Sequence, residues 1–140
     1  MIVLDTNVLS ELMRPEPDAA VVAWIGGQPM AGLFTTTLTQ AEIFYGLALL
    51  PRGRRRDALV AAARPMFEVD LAGRVLPFDT DAALAYPDIA AGRRKGGRPI
   101  SQIDAQIAAI ARSRGARLAT RNVSDFADCG IAVVDPWREA

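Results

Sequence analysis

The chain has 140 residues, 51% of them apolar, with 16 basic side chains balanced by 16 acidic ones, no His and one Cys. That size predicts one domain, residues 1–140, with one core; a lone Cys129 excludes an internal disulfide and a cysteine-rich zinc module and fits a soluble protein of the cytoplasm. The opening Met1-Ile2-Val3-Leu4-Asp5 lacks the basic region of a signal peptide, and no later run approaches the roughly 18 apolar residues of a membrane span.

Ile2-Val3-Leu4 predicts a buried strand ending at Asp5, followed by a short helix that Pro15 and Pro17 should stop. A second helix is expected around Asp18 to Ile25, and a short strand over Leu33 to Thr36. Thr39 to Leu50 has a helical period, with Ile43, Leu47 and Leu50 on one side, and Pro51 and Gly53 end it. Arg52, Arg54, Arg55 and Arg56 follow, leading into a helix from Arg55 to about Phe67. Val75-Leu76 reads as a third strand, and Asp79 to Arg93 as a helix that Pro87 should kink or divide. A second basic cluster, Arg93, Arg94, Lys95 and Arg98, runs into the loop Gly96-Gly97-Arg98-Pro99. Both clusters read equally as solvated helix ends or as a local field that steers a polyanion. Ser101 to Arg114 is the second strongly periodic helix, with Ile103, Ile107 and Ile110. Arg117 to Thr120 and Ile131 to Val134 complete the strands. Apolar strands alternating with helices predict an α/β fold, a mostly parallel sheet flanked by helices, whose ligands gather at the carboxyl ends of the strands.

Carboxylates recur at those ends and in the first turns of the two periodic helices. Asp5 follows the first strand directly, as a helix cap or a ligand. Thr39-Gln40-Ala41-Glu42 matches a capping box, in which Glu42 returns a hydrogen bond to the Thr39 amide. Glu42 also borders the buried stripe, and Gly46 leaves room beside it. Ser101-Gln102-Ile103-Asp104 repeats that pattern, with Ala108 and Ala111 below Asp104. After the fourth strand, Thr120-Arg121-Asn122-Val123-Ser124-Asp125 offers a further polar group, in which Asp125 is a ligand, a cap or a partner of Arg121. Such an oxygen-rich set suits Mg²⁺ or Mn²⁺, and the missing His and isolated Cys remove most support for zinc.

With these segments in place the sequence resembles the PIN-domain ribonucleases, specifically the VapC and FitB-like toxins of bacterial type II toxin-antitoxin pairs. The resemblance is carried by Ile2-Val3-Leu4-Asp5-Thr6-Asn7-Val8-Leu9-Ser10-Glu11, Thr39 to Glu42 with Gly46, Ile103 to Ala108, Leu118 to Asn122 with Asp125-Phe126, and Val134-Asp135-Pro136-Trp137. It implies a three-layer PIN-like fold and a divalent-metal-dependent endoribonuclease leaving a 5′-phosphate and a 3′-hydroxyl. Carried over residue by residue, it makes Asp5 and Asp104 the leading metal ligands, with Glu42 binding a second ion or orienting a water. Asn122 or Asp125 would complete the site, and Thr6 and Thr120 would touch water or phosphate. It also implies a cognate antitoxin, a homodimer, and operator DNA bound only through the antitoxin complex. The apolar stretches Leu9 to Met13 and Leu33 to Leu50 read either as those surfaces or as core.

One position departs from the family pattern. Members often carry a fourth acidic residue directly after Thr-Arg, where this chain has Asn122, which offers an oxygen without a charge. The departure leaves open a weakly bound second ion, recruitment of Asp125, or a single ion. It also keeps two other readings alive: a DNA or 5′-nuclease, and a non-catalytic module binding RNA or a partner.

Overall fold

Three consecutive apolar residues suit a strand covered on both faces, and β1 (Ile2–Leu4) is buried throughout. It leads into α1 (Thr6–Leu12), α2 (Ala19–Gly26), β2 (Leu33–Thr36), α3 (Thr37–Ala48) and α4 (Arg54–Pro65). Then follow β3 (Val75–Leu76), α5 (Thr80–Lys95), α6 (Gln102–Ser113), β4 (Arg117–Ala119) and β5 (Val133–Val134). The computed structural model describes residues 1–139, so Ala140, the last residue of the expected domain, lies outside them.

The strands form one five-stranded sheet in the order β3-β2-β1-β4-β5, with every pairing parallel. Ile2 lies opposite Leu33 on one side and Arg117 on the other, and Leu4 lies opposite Ala119. The chain winds outward from β1 in both directions, so the strand order reverses beside β1. In open α/β sheets that reversal places a crevice at the carboxyl ends of the strands. Asp5 stands at this point.

Side-chain alternation along β1 divides the core in two. Val3 packs with α5 and α6 residues such as Ile89, Ile107 and Ile110, while Ile2 and Leu4 pack with Val8, Leu9, Ile43 and Leu47 from α1 and α3. Leu118 and Ala119 of β4 divide in the same way. The result is the expected three layers, helices on both faces of a parallel sheet. No helix among the described residues is long and apolar enough to cross a membrane.

Four local expectations are corrected. The cap of α3 is Thr36, whose hydroxyl accepts from the Thr39 amide at 3.1 Å, so Thr39 lies inside the helix and the expected Glu42 box does not form. Pro87 does not divide α5, which is continuous from Thr80 to Lys95; Pro87 is exposed, and so is Ala83, whose carbonyl lacks the usual amide partner. Ile103 is 40% exposed, and α6 buries Ala105, Ile107, Ala108, Ala109, Ile110 and Ala111 instead. Arg93, read with its neighbours either as a solvated helix end or as part of a field steering a polyanion, is buried.

Candidate active site

Asp5 caps α1 from the end of β1. Its amide extends the sheet by donating to the Ala119 carbonyl at 2.9 Å. Its Oδ1 accepts from the Thr6 amide at 2.8 Å, and its Oδ2 accepts from the Thr120 hydroxyl at 2.8 Å. The Thr120 hydroxyl in turn accepts from Asn7 Nδ2 and from the Asn122 amide, both at 3.1 Å. Donating once and accepting twice, it has no freedom to turn away from Asp5. Asn7 completes the clasp by accepting from the Arg121 amide at 3.2 Å. The α1 cap and the bond to Thr120 therefore use different oxygens of the Asp5 carboxyl.

Burial pushes the Asp5 carboxyl up to about 6 from an ordinary 3.8; the Thr120 and Thr6 hydrogen bonds oppose the rise, and the Asp104 and Glu42 charges add to it. A carboxylate only 5% exposed and facing two more acids is costly to ionise, and a cation beside it would remove that cost.

Glu42 reaches the same region from the second turn of α3. Its Oε1 lies 2.8 Å from Thr6 Oγ1, which lies 3.1 Å from Thr39 Oγ1. A carboxylate only accepts, so Thr6 gives its proton to Glu42 and Thr39 gives its own to Thr6. Glu42 is thus free of any capping duty. Gly46 is not required for that room, since a Cβ there would meet nothing within 4 Å.

Asp104 arrives from the first turn of α6, whose Ser101 cap accepts from the Asp104 amide at 3.2 Å. Burial raises its carboxyl above the ordinary value; Ser101 opposes the rise, Asp125 and Glu42 add to it, and Arg93 lowers it. Asn122 lines the same cleft as Asp5, Glu42 and Asp104. Asp125 does not line it; its side chain is exposed and its electrostatic effect reaches Asp104 from the rim. Nor does Asp125 pair with Arg121. Its carbonyl instead receives the buried Arg93 guanidinium at 2.8 Å, which also donates to the Ala127 and Arg98 carbonyls and so fastens this loop to α5.

The matching family profile is the PIN domain, over residues 2–130. The chain is 44% identical to VapC ribonuclease Y4jK of Sinorhizobium fredii over all 140 residues, covering the whole of both chains. The chain belongs to the PIN-domain family. It is also 36% identical to Toxin FitB of Neisseria gonorrhoeae over 99% of this chain and 100% of that one. The solved structure of FitAB bound to an IR36 DNA fragment superposes with a TM-score of 0.92 at 36% identity, over 100% of this chain and 98% of that chain.

Membership of the PIN-domain family implies a divalent-metal-dependent mechanism, and the donor chemistry here is compatible with it. The cleft, of about 600 Å³, is lined by Asp5, Glu11, Glu42 and Asp104, with the neutral oxygens of Asn122 and Thr6 between them. Among the described residues, no three Asp, Glu or Cys side chains converge closely enough to hold one ion as they stand. Mg²⁺ typically keeps several waters and takes only one or two protein carboxylates, so this spacing suits it better than a fully dehydrated ion.

Several residues that line the cleft are given no site role by the sequence alone: Ser10, Glu11, Arg14, Arg121 and Trp137. A signal existed for those on and just past α1. Thr6 and Ser10 recur at i and i+4, with Asn7 and Glu11 on the adjoining row, making a polar stripe opposite Val8, Leu9 and Leu12 that Arg14 continues in the turn after the helix. Glu11 is 6% exposed and accepts from Arg14 at 3.1 Å and from the Asp18 amide at 2.9 Å, which ties the α1–α2 connection to the cleft wall.

Proposed function

We propose that this chain acts as one PIN-like domain, the endoribonuclease toxin of a type II toxin-antitoxin pair, working in the cytoplasm with Mg²⁺, or Mn²⁺ in its place. The observation that carries the reading is the buried Asp5 at the strand-order reversal, facing Glu42 and Asp104 across the cleft, in a chain homologous over its full length to ribonuclease toxins.

Asp5 and Asp104 would hold the ion, with Glu42 holding a second or ordering water. A divalent ion bound there supplies Lewis acidity and neutralises the phosphate charge. The protein's own contribution is placement. Thr120 and the Thr6 amide fix the Asp5 oxygens before substrate arrives, and Thr6 holds the near oxygen of Glu42, leaving its other oxygen for a water. Thr6 would accept from a water through its remaining lone pair, and its single proton stays on Glu42 instead of reaching a phosphate oxygen. Asn122 offers an uncharged oxygen where an acid would add a fifth carboxylate to Asp5, Glu11, Glu42 and Asp104, so the cleft repels the phosphodiester less than it would with an acid there.

FitAB was solved with DNA, and other relatives of similar fold were solved as VapBC complexes with DNA. By homology we assign this chain a cognate antitoxin that carries the operator contact, and a homodimeric state. Exposed Tyr45 on α3 and Leu49 at its C-cap are available for such contacts, whereas Leu9, Leu33, Ile43 and Leu47 are core.

The test is incubation of total RNA, and of DNA in parallel, with Mg²⁺ or Mn²⁺, using Asp5→Asn as control, followed by mapping of the ends. RNA cut internally to 5′-phosphate and 3′-hydroxyl ends by the wild type alone supports the reading. Equal cutting of DNA, or equal activity in Asp5→Asn, contradicts it.

A further inference from the structure

Arg121 is an exposed cation on the wall of a cleft that four carboxylates also line, yet it forms no ion pair among the described residues. Its guanidinium carbon stands 5.0 Å from the centre of the Trp137 ring instead. Both residues are anchored through their backbones, Arg121 by its amide on Asn7 Oδ1 at 3.2 Å and Trp137 by its amide on Asp135 Oδ1 at 2.9 Å. Trp137 is half-buried against the α1–α4 side of the core, and Arg121 covers it from the solvent side. A planar cation is thus held over the one aromatic ring that lines the acidic cleft.

We propose that Arg121 and Trp137 form a stacking platform for one base of a single-stranded RNA, next to the phosphodiester that reaches the carboxylates. The inference rests on the ribonuclease reading and names the part of the site that recognises substrate. Carboxylates and a metal handle a phosphate but offer nothing to a base. Single-stranded RNA is bound largely by stacking of its splayed bases on aromatic rings and Arg planes. The Arg121 charge also offsets the acidic cleft for the incoming backbone.

The experiment uses full-length Trp24→Phe/Asp104→Asn protein, in which Trp137 is the only tryptophan, titrated in Mg²⁺ with an RNA octamer and with a fully abasic ribose-phosphate octamer of equal charge. The expected result is about ten-fold tighter binding of the base-bearing RNA, with a change in Trp137 fluorescence that the abasic chain does not produce. Adding Arg121→Lys, which keeps the charge and loses the planar face, should shrink the difference to about three-fold or less. Equal affinity for the two octamers, an unchanged Trp137 signal with bound RNA, an undiminished difference in Arg121→Lys, or no RNA binding at all each overturns the platform. Wild-type cleavage of total RNA is scored separately, so an enzyme that cuts without this base dependence leaves the ribonuclease reading standing and removes the platform alone.

Discussion

On one wall of the cleft Asp5 is 5% exposed, and two separate chain segments hold its neighbourhood: β1 with α1, from which Asn7 bridges to Arg121, and the Thr120 end of β4. On the facing wall Asp104 is half-buried at a helix start, Asn122 is exposed, and Asp125 stands outside on the rim. The first wall is preorganised by the sheet, because a residue at the end of a central parallel strand is bracketed by its neighbours on both sides. The second wall is built from a helix cap and a loop, whose side chains have room to adjust. The contrast makes Asp5 the more rigidly held carboxylate of the cleft and leaves the Asp104 side chain the more room to adjust.

The largest expected effect breaks the fixed wall. Asp5→Asn should lower RNA cleavage by at least about 10³-fold with the circular dichroism spectrum unchanged, and Asp104→Asn by about 10²-fold, both read from initial rates in Mg²⁺. Equal losses would erase the distinction between the walls.

The pH dependence of stability sharpens it. The Asp5 carboxyl titrates near 6 when folded, above its ordinary 3.8, so the folded state keeps the proton longer. This contribution is present at low pH and is lost as pH rises through about 4 to 6. At roughly 1.4 kcal/mol per pKa unit, the ionised group costs metal-free protein up to about 3 kcal/mol at neutral pH. Urea unfolding of wild type and Asp5→Asn at pH 4 and pH 7 should show the wild type losing ground by that order; parallel curves would contradict it.

Thr120→Val removes a fully buried hydroxyl that makes three hydrogen bonds, and should cost about 1–3 kcal/mol, seen as a lower Tm, together with roughly ten-fold in cleavage. The smallest effect is expected at the adjustable wall. Asn122→Ala should change cleavage by no more than about three-fold, and a larger loss would make Asn122 a participant equal to Asp104.

The sequence carried the strand ends well because three consecutive apolar residues before Asp5, and Leu118-Ala119 before Thr120, leave few alternatives for a buried parallel strand. It also placed Glu42 and Asp104 correctly beside the buried faces of their helices. What it could not carry was the identity of partners. Thr36 and Thr39 are both competent caps, and the choice between them is set where β2 ends, not by the local pattern. The bond from Thr6 to Glu42 spans 36 residues, and that from Thr120 to Asp5 spans 115. Arg93 lies in a run of like charges, and the folded-back Asp125–Cys129 loop and the Arg98 carbonyl make burial of that guanidinium acceptable. Trp137 and Arg121 meet because β4 and β5 pair, which no window of local sequence reveals.

The central claim, that Asp5 anchors a divalent-cation site, is tested most directly by thermal unfolding of wild type and Asp5→Asn across a millimolar titration of Mg²⁺. An ion bound only to the folded state raises Tm with its concentration. The Tm of the wild type should rise and that of Asp5→Asn should stay nearly flat; equal rises in both proteins, or none in the wild type, would rule out an Asp5-anchored ion.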